Sequence, residues 1–346
     1  MRRLTLLTLC FVGATACAAQ GDGGGAAGDG GGAGGGAGAA GGGGAGGTPP
    51  GCQTLSGPAS PTEVLRVLDR AAFDPDVHAT PGGFVAYVGS LIANDGGAYR
   101  AESADGLTWT TPVRVLDEWG SALLLPGGVR FYYGRWEDRG VAPFQRIGSA
   151  SSADGLTFVD DGIVWSGSGV LGADGLPLEH ELTRPLAWFD GARVHLYFTA
   201  HGDRADSDMG FSVSSVGQAI SDDGVSFVAA PWPFPAHPCV DPPSGPDSYE
   251  SLAIWAAVRP SCADCAADGL SLVLYGRRCD GPPGTFLTHS ADGTSFSEPI
   301  PLELPPGGGT LLVSGTEALY LFGGYEEQSV ISAQAIALPV APLRCQ

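Results

Sequence analysis

The sequence predicts an all-β fold, a five-bladed β-propeller with about four antiparallel strands in each blade. Three observations predict it: a short phrase occurs four times along the chain, two strand-like segments precede each copy, and no segment shows a long helical period. Repeating units of roughly 40–70 residues that carry four short strands are typical of propeller blades.

The repeated phrase consists of a serine, an Asp-Gly pair, a threonine or serine, and an aromatic residue. The copies are SADGLTW at 103–109, SADGLTF at 152–158, SDDGVSF at 221–227 and SADGTSF at 290–296, and they begin 49, 69 and 69 residues apart. Asp-Gly favours a tight turn because glycine adopts a positive φ without steric cost. Each phrase therefore predicts a hairpin turn at the edge of one unit, followed by a strand whose first aromatic residue points inward.

Each copy of the phrase follows an apolar strand, a glycine-containing turn and a second strand rich in aromatic and β-branched residues. A fifth pair of strands, followed by a strand-like segment, stands near the C-terminus without the phrase, as a terminal repeat can. The segment 64–68 is predicted to complete the sheet of this last blade. The five strand pairs are at 77–90, 122–134, 185–200, 252–277 and 311–324.

The N-terminal region predicts export and a lipid anchor. Residues 1–17 combine two arginines, an apolar run too short to span a bilayer and a small residue before Cys17, which resembles a bacterial lipoprotein signal with Cys17 as the lipidated residue. An ordinary signal peptide cut between residues 16 and 19 is the alternative. Ala18 after the cysteine favours the outer membrane among lipoproteins.

Residues 18–48 predict a disordered tether, and 49–346 predict the propeller. The stretch 21–47 contains only Gly, Ala and Asp, so it has almost no side chain to bury and cannot offset the entropy of ordering. A flexible segment placed directly after a lipidated cysteine would hold a folded domain away from the membrane surface.

The charge of the chain limits its partners. A formal net charge of −20 repels nucleic-acid phosphates and anionic lipid surfaces. We therefore expect no nucleic-acid partner and membrane contact through the lipid anchor alone. A carbohydrate partner fits these limits, and the protein is expected to be a monomer.

Six cysteines of the mature domain are candidates for disulfides, because an even number in an exported chain is typical of a disulfide framework. Their pairing is open, although a bridge between the first and last of them would close the domain into a ring. A zinc site at the close pair is the alternative, but no further ligands stand at the required spacing, so no metal and no cofactor are expected. The candidates are Cys52, Cys239, Cys262, Cys265, Cys279 and Cys345.

Three short motifs resemble those of the five-bladed propeller superfamily of arabinanase- and invertase-type glycoside hydrolases, families 43, 32 and 68. The phrase FDPDVH at 73–78 is similar to the Asp-Pro signature of the first blade, and SYESLAI at 248–254 is similar to the Glu-Cys signature of invertases. The phrase TRPLAWFDG at 183–191 is similar to an Arg-Asp-Pro signature but lacks its aspartate. The resemblance implies a site in the central funnel, with a nucleophile or base from the first blade and a glutamate as general acid.

Carried onto this sequence, the resemblance makes Asp74 the direct match to the first-blade aspartate, with Asp76 beside it, and Glu250 the match to the acid. Alignment of the inner strands on their glycine turns places Asp76, Ser121, Arg184 and Glu250 at equivalent positions. Glycoside cleavage needs two carboxyl groups, roughly 5–5.5 Å apart for retention or 6.5–9.5 Å for inversion.

Four further residues complete the candidate site. Glu181 is the substitute acid, and Arg184 would bind sugar hydroxyls or hold a carboxylate ionised. Trp119 and Tyr249 lie near the same rim, where an aromatic ring could stack on a sugar face.

Other interpretations remain open at this point. Asp74 before a proline could simply shape the entry into a strand, and Glu250 with Arg184 could form an ion pair without a substrate. Three functions follow: a hydrolase acting on furanosides or plant-type glycans, a propeller that binds glycans or proteins without catalysis, and a structural envelope protein with a plugged funnel.

Overall fold

The chain divides into two units, Met1–Gly46 and Gly47–Gln346, and all described residues belong to the second. The computed structural model describes residues 55–67, 71–91, 96–138, 143–167, 181–201, 214–234, 249–263, 269–278, 282–323 and 330–341. Within these ranges the protein is all-β, as predicted, and no helix is long and apolar enough to cross a membrane.

Three sheets contain four strands each, and in all three the strands follow one another in chain order and pair antiparallel. Sheet I consists of β2 (Ala71–Thr80), β3 (Gly83–Leu91), β4 (Gly97–Ser103) and β5 (Val113–Leu116). Sheet II consists of β6 (Gly120–Leu125), β7 (Gly128–Asp138), β8 (Pro143–Ser152) and β9 (Val159–Trp165). Sheet III consists of β10 (Glu181–Phe189), β11 (Val194–His201), β12 (Ser214–Ser221) and β13 (Val228–Ala229).

The remaining strands form one eight-stranded sheet made of two antiparallel runs of four. Run IV consists of β14 (Tyr249–Pro260), β15 (Leu270–Arg278), β16 (Pro283–Ser290) and β17 (Ile300–Leu302). Run V consists of β18 (Gly308–Ser314), β19 (Glu317–Gly323), β20 (Val330–Ala337) and β1 (Thr62–Arg66). The first strands of the two runs, β14 and β18, pair in parallel, and this pairing joins the runs.

The N-terminal strand closes the last run, as the sequence predicted. β1 pairs antiparallel with β20, with Thr62 opposite Ala333 and Arg66 opposite Val330. The strand begins two residues earlier than the predicted segment 64–68. Because one run contains strands from both ends of the domain, neither end can leave without breaking a sheet.

The repeated phrases form the predicted turns, and their polar side chains stabilise them locally. In the first copy, the Ser103 hydroxyl accepts the N–H groups of Asp105 and Gly106, at 3.3 and 2.8 Å, while Asp105 Oδ1 accepts those of Leu107 and Thr108. The N–H groups of Thr108 and Leu107 lower the pKa of the Asp105 carboxyl to about 2. In all four copies the serine hydroxyl also donates to Oδ1 of the aspartate two residues later.

Three of these turns also accept a hydrogen bond from the preceding sheet. A buried tyrosine on the second strand of one sheet donates its hydroxyl to the glycine carbonyl of the following turn. These pairs are Tyr87 to Gly155 at 3.4 Å, Tyr132 to Gly224 at 2.8 Å, and Tyr197 to Gly293 at 2.5 Å. The repeat therefore supplies a contact between neighbouring units as well as a hairpin turn.

Replacing Tyr132 with phenylalanine should lower the free energy of unfolding by about 1–3 kcal/mol, because the buried Gly224 carbonyl loses its partner. Denaturant unfolding measures the change. The control is Tyr275→Phe, since Tyr275 is 39% exposed. Equal stability of both variants and the unmodified protein would contradict the proposed link between sheets.

Candidate functional site

The first strands of the five four-stranded runs surround one pocket. Its empty volume, including the open mouth, is about 430 Å³. All five strands or the residues just before them contribute to its wall. The lining comprises 74–76, 119–121, 184–186, 254–257 and Gly309.

Two residues of the lining have an unusual backbone. Asp74 and Arg184 have φ values of 43° and 47°, and among the described residues they are the two with positive φ that are not glycine. Each precedes a proline and lies in a bulge, where the pairing of its strand with the next shifts register. Such conformations cost about 1–3 kcal/mol each and concentrate at functional sites, so the fold maintains two strained residues at this pocket.

The strained residues meet across the pocket. Arg184 Nη2 lies 3.5 Å from Asp74 Oδ1, and the two side chains are 18% and 19% exposed. Arg184 Nη1 donates to the Ile254 carbonyl at 2.8 Å, and the guanidinium lies over the Trp255 ring, 5.1 Å from its centroid. Burial raises the pKa of the Asp74 carboxyl, and the charge of Arg184 opposes this only in part.

Asp76 is engaged on both carboxylate oxygens and is nearly inaccessible, with its side chain 6% exposed. Oδ2 accepts the Ala122 N–H at 2.7 Å and lies 3.1 Å from His78 Nε2, while Oδ1 accepts from Arg259 Nη2 at 3.3 Å. Burial acts to raise the pKa of Asp76, but His78, Arg259 and the Ala122 N–H outweigh it and hold the pKa well below the ordinary value. This carboxylate is therefore ionised and occupied, which favours a bracing role over contact with a ligand.

Two threonines make the same kind of contact between neighbouring runs. Thr310 of β18 accepts the Val77 N–H at 3.1 Å and donates to the Pro75 carbonyl at 2.7 Å. Thr199 of β11 accepts the Ile254 N–H at 3.0 Å. Asp76 thus accepts a backbone N–H of the next sheet as these neutral hydroxyls do elsewhere, which supports its assignment to the framework.

Two tryptophans supply the aromatic surface of the pocket. Trp119, a predicted site residue, packs its ring edge-on to Phe73 with centroids 5.0 Å apart. Trp255 was not predicted; it lies in a bulge of β14, and its ring stands 4.9 Å from that of Tyr275. The sequence carries no local signal for this bulge, since neither glycine nor proline stands at it.

Solved structures with similar folds are glycoside hydrolases. A β-fructofuranosidase of family 32 from Bombyx mori has a TM-score of 0.53 at 11% identity, covering 80% of this chain and 62% of its own. A family 117 glycoside hydrolase from Zobellia galactanivorans has a TM-score of 0.52 at 15% identity, covering 81% and 91%. The fold is that of the propeller-like glycoside hydrolases.

A third similar structure comes from family GH130, described as containing glycoside hydrolases that target β-1,2-mannosidic linkages in Candida mannan. It has a TM-score of 0.53 at 13% identity and covers 84% of this chain and 97% of its own. No protein-family model matches the sequence, and no curated protein matches it either. At these identities the similarity establishes the propeller-like fold alone. The activity has to be argued from the residues of the site.

The side chains of Glu250, Glu181 and Tyr249 lie outside the described residues, so their roles stay predictions. Their backbone positions are at the starts of β14 and β10. At roughly 3.3 Å per residue, the backbone of Glu250 is about 13 Å along β14 from Ile254, where the described lining of that strand begins. β14 is longer than the other inner strands and has two bulges, and the predicted equivalence of Glu250 with Asp76 stays a prediction.

The predicted cysteine sites fall mostly outside the described part of the propeller. Cys262 is 8% exposed and disulfide-bonded. Its partner lies outside the described residues, so the pairing stays a prediction, as does lipidation at Cys17. The other candidates outside the described ranges are Cys52, Cys239, Cys265, Cys279 and Cys345. Within those ranges no group of three or more metal-ligating side chains is found.

Proposed function

We propose that this protein binds a glycan in its central pocket without cleaving it. One observation carries the proposal. Of the two carboxylates in the described lining, Asp76 is buried with both oxygens engaged, whereas Asp74 lies beside Arg184 at the pocket wall, and the proposal assigns Asp74 to the ligand. Glycoside cleavage requires a second carboxyl group placed across the scissile bond.

The arrangement of the lining suits a sugar. Trp119 and Trp255 supply aromatic surface to the pocket wall, and Asp74 and Arg184 place an acceptor and a donor 3.5 Å apart. A sugar presents both kinds of surface, a face of C–H groups for aromatic rings and an edge of hydroxyls for charged partners.

We infer that sheets I to III and runs IV and V are five blades, with the pocket where their first strands converge. The order of strands, the closure of run V by β1 and the convergence of β2, β6, β10, β14 and β18 on one pocket support five blades. The signal-like start of the sequence supports export, with anchoring through Cys17 to the outer membrane. Loss of the protein from the membrane fraction on Cys17→Ser replacement would test the anchor.

A hydrolase is the second candidate, and the environment of Asp74 favours it. The pKa of this carboxyl is raised by burial, and its backbone is strained, as is frequent in catalytic groups. Asp74 would then act with Glu250 or Glu181. Carbohydrate cleavage needs one carboxyl protonated and one ionised. The raised pKa of Asp74 favours it as the protonated one, which is the reverse of the role that the resemblance implies for it.

The experiment uses the exported, purified protein with arabinan, xylan, inulin, sucrose and aryl-furanosides. We expect retention on at least one glycan in affinity electrophoresis, no release of reducing sugar, and loss of retention in the Asp74→Asn variant. Asp117→Asn is the matched control, because the side chain of Asp117 is 91% exposed. Sugar release that disappears with Asp74→Asn and with Glu250→Gln would replace binding by hydrolysis.

A further inference from the structure

The Asp74 carboxylate packs against Gly308, and we call the space that it occupies there its seat. Gly308 opens β18 and is buried, and a Cβ atom added to it would overlap Asp74 Oδ1 and lie 3.1 Å from the Trp255 carbonyl. The carboxylate thus rests where any other residue at 308 would place its first side-chain carbon.

The neighbouring glycine differs in what it contacts. A Cβ at Gly309 would meet the backbone of Leu321 and Phe322, which cannot yield without breaking the pairing of β18 with β19. A Cβ at Gly308 would overlap the end of a side chain, which can move, and its one close backbone neighbour, the Trp255 carbonyl at 3.1 Å, would have to give by only a few tenths of an ångström. The φ of Gly308 does not lie in the left-handed range, so the backbone accepts alanine there. Glycine at 309 is required for the pairing of β18 with β19, whereas glycine at 308 allows the Asp74 carboxylate to occupy its observed position.

The position of this carboxylate determines how it faces Arg184. The Asp74 backbone is held by its bulge and by Pro75, so a displaced carboxylate moves relative to Arg184 rather than with it. At 3.5 Å the opposite charges of Arg184 and Asp74 compensate each other. The distance is nevertheless too long for a short charge-assisted hydrogen bond between them. Neighbouring hydroxyls of a ring can therefore donate to Asp74 and accept from Arg184 together.

The same geometry disfavours a sugar acid. Arg184 is already engaged by the Ile254 carbonyl, by Asp74 and, on its face, by Trp255. A carboxylate would have to replace these partners to bind in the bidentate manner and would approach a second carboxylate.

We propose that Gly308 is a positioning residue that sets Asp74 beside Arg184, and that the pair selects a neutral vicinal diol over a uronate. The choice of ligand rests on the proposed glycan binding; the positioning role does not. In contrast with a catalytic residue, Gly308 acts through Asp74.

The test compares Gly308→Ala with two matched variants, Gly82→Ala and Gly284→Ala. Among the described residues, a Cβ at Gly82 meets nothing within 4 Å, and one at Gly284 meets Phe286 alone, at 3.9 Å. The probes are methyl glucoside and methyl galactoside, each beside its uronate, measured by calorimetry on the exported protein. We expect the neutral member of a pair to bind at least tenfold more tightly, and Gly308→Ala to weaken that binding at least tenfold, with a Tm like that of the controls.

A second readout needs no ligand. Titration of the Asp74 carboxyl by carbon NMR should show a lower pKa in Gly308→Ala, because the carboxylate leaves a buried seat for the open pocket. An unchanged pKa would overturn the positioning role. Equal binding of glycoside and uronate would overturn the selectivity, and absence of sugar binding with a lowered pKa would overturn the proposed function and keep the role of Gly308.

Discussion

Replacing Asp76 with alanine is expected to lower the free energy of unfolding by about 3–5 kcal/mol, because it leaves the buried Arg259 without its counter-charge. The change also removes the acceptor of the Ala122 N–H, which lies on the inner strand of the next sheet. Urea unfolding followed by tryptophan fluorescence measures the loss. The effect is large because one side chain joins strands of three runs.

The control for this variant is Asp117→Ala. Asp117 also pairs with an arginine, Arg114 at 3.1 Å, but its side chain is 91% exposed, so a change within about 1 kcal/mol is expected. A loss for Asp76→Ala no greater than that for Asp117→Ala would show that the buried carboxylate is not a brace.

The unmodified protein and the Asp76→Ala variant should also differ in how their stability responds to acid. The pKa of Asp76 is lower in the folded protein than in the unfolded chain, so its stabilisation is complete above about pH 4 and is lost as the pH falls through the folded value. The difference in stability between the unmodified protein and Asp76→Ala should therefore be constant near neutral pH and shrink below about pH 4. A difference that grows toward low pH would contradict an ionised Asp76.

Replacing Trp255 with alanine is expected to weaken glycan binding by about 30-fold or more. Tryptophans in central, half-buried positions of a binding site cost about 2 kcal/mol or more on truncation, and about 1.4 kcal/mol corresponds to a tenfold change. The truncation would also remove the aromatic face on which Arg184 rests. The measurement is the Kd for the glycan retained in the binding experiment.

Trp165→Ala separates loss of binding from loss of stability. Trp165 is half-buried on β9, away from the pocket lining, and its ring packs 6.2 Å from that of Phe198. We expect its truncation to lower the Tm while leaving the Kd within about twofold, as for other residues outside the contact. Equal weakening by both variants would mean that Trp255 acts through stability alone.

Local chemistry in the sequence was enough to predict much of the fold. The serine and aspartate of each repeated turn bond to groups two or three residues away, so the turns could be recognised from seven letters. The resemblance of the phrases at 73–78 and 183–191 to family signatures singled out Asp74 and Arg184, which the fold brings together at the pocket. The spacing of the turns and the paired strand-like segments predicted the order of the strands.

The assignments that failed or stayed open depend on partners distant in sequence. Asp76 and Asp74 are indistinguishable as letters, and Asp76 is a brace because Arg259, 183 residues later, reaches it in the folded protein. Trp255 lies in the pocket because a bulge shifts the register of β14, and Gly308 matters because Asp74 packs against it from another sheet. Short-range hydrogen bonds and side-chain periodicity depend on residues that are close together in the sequence. The burial, pairing and protonation of the two aspartates come from the convergence of strands from all five runs, which no single segment contains.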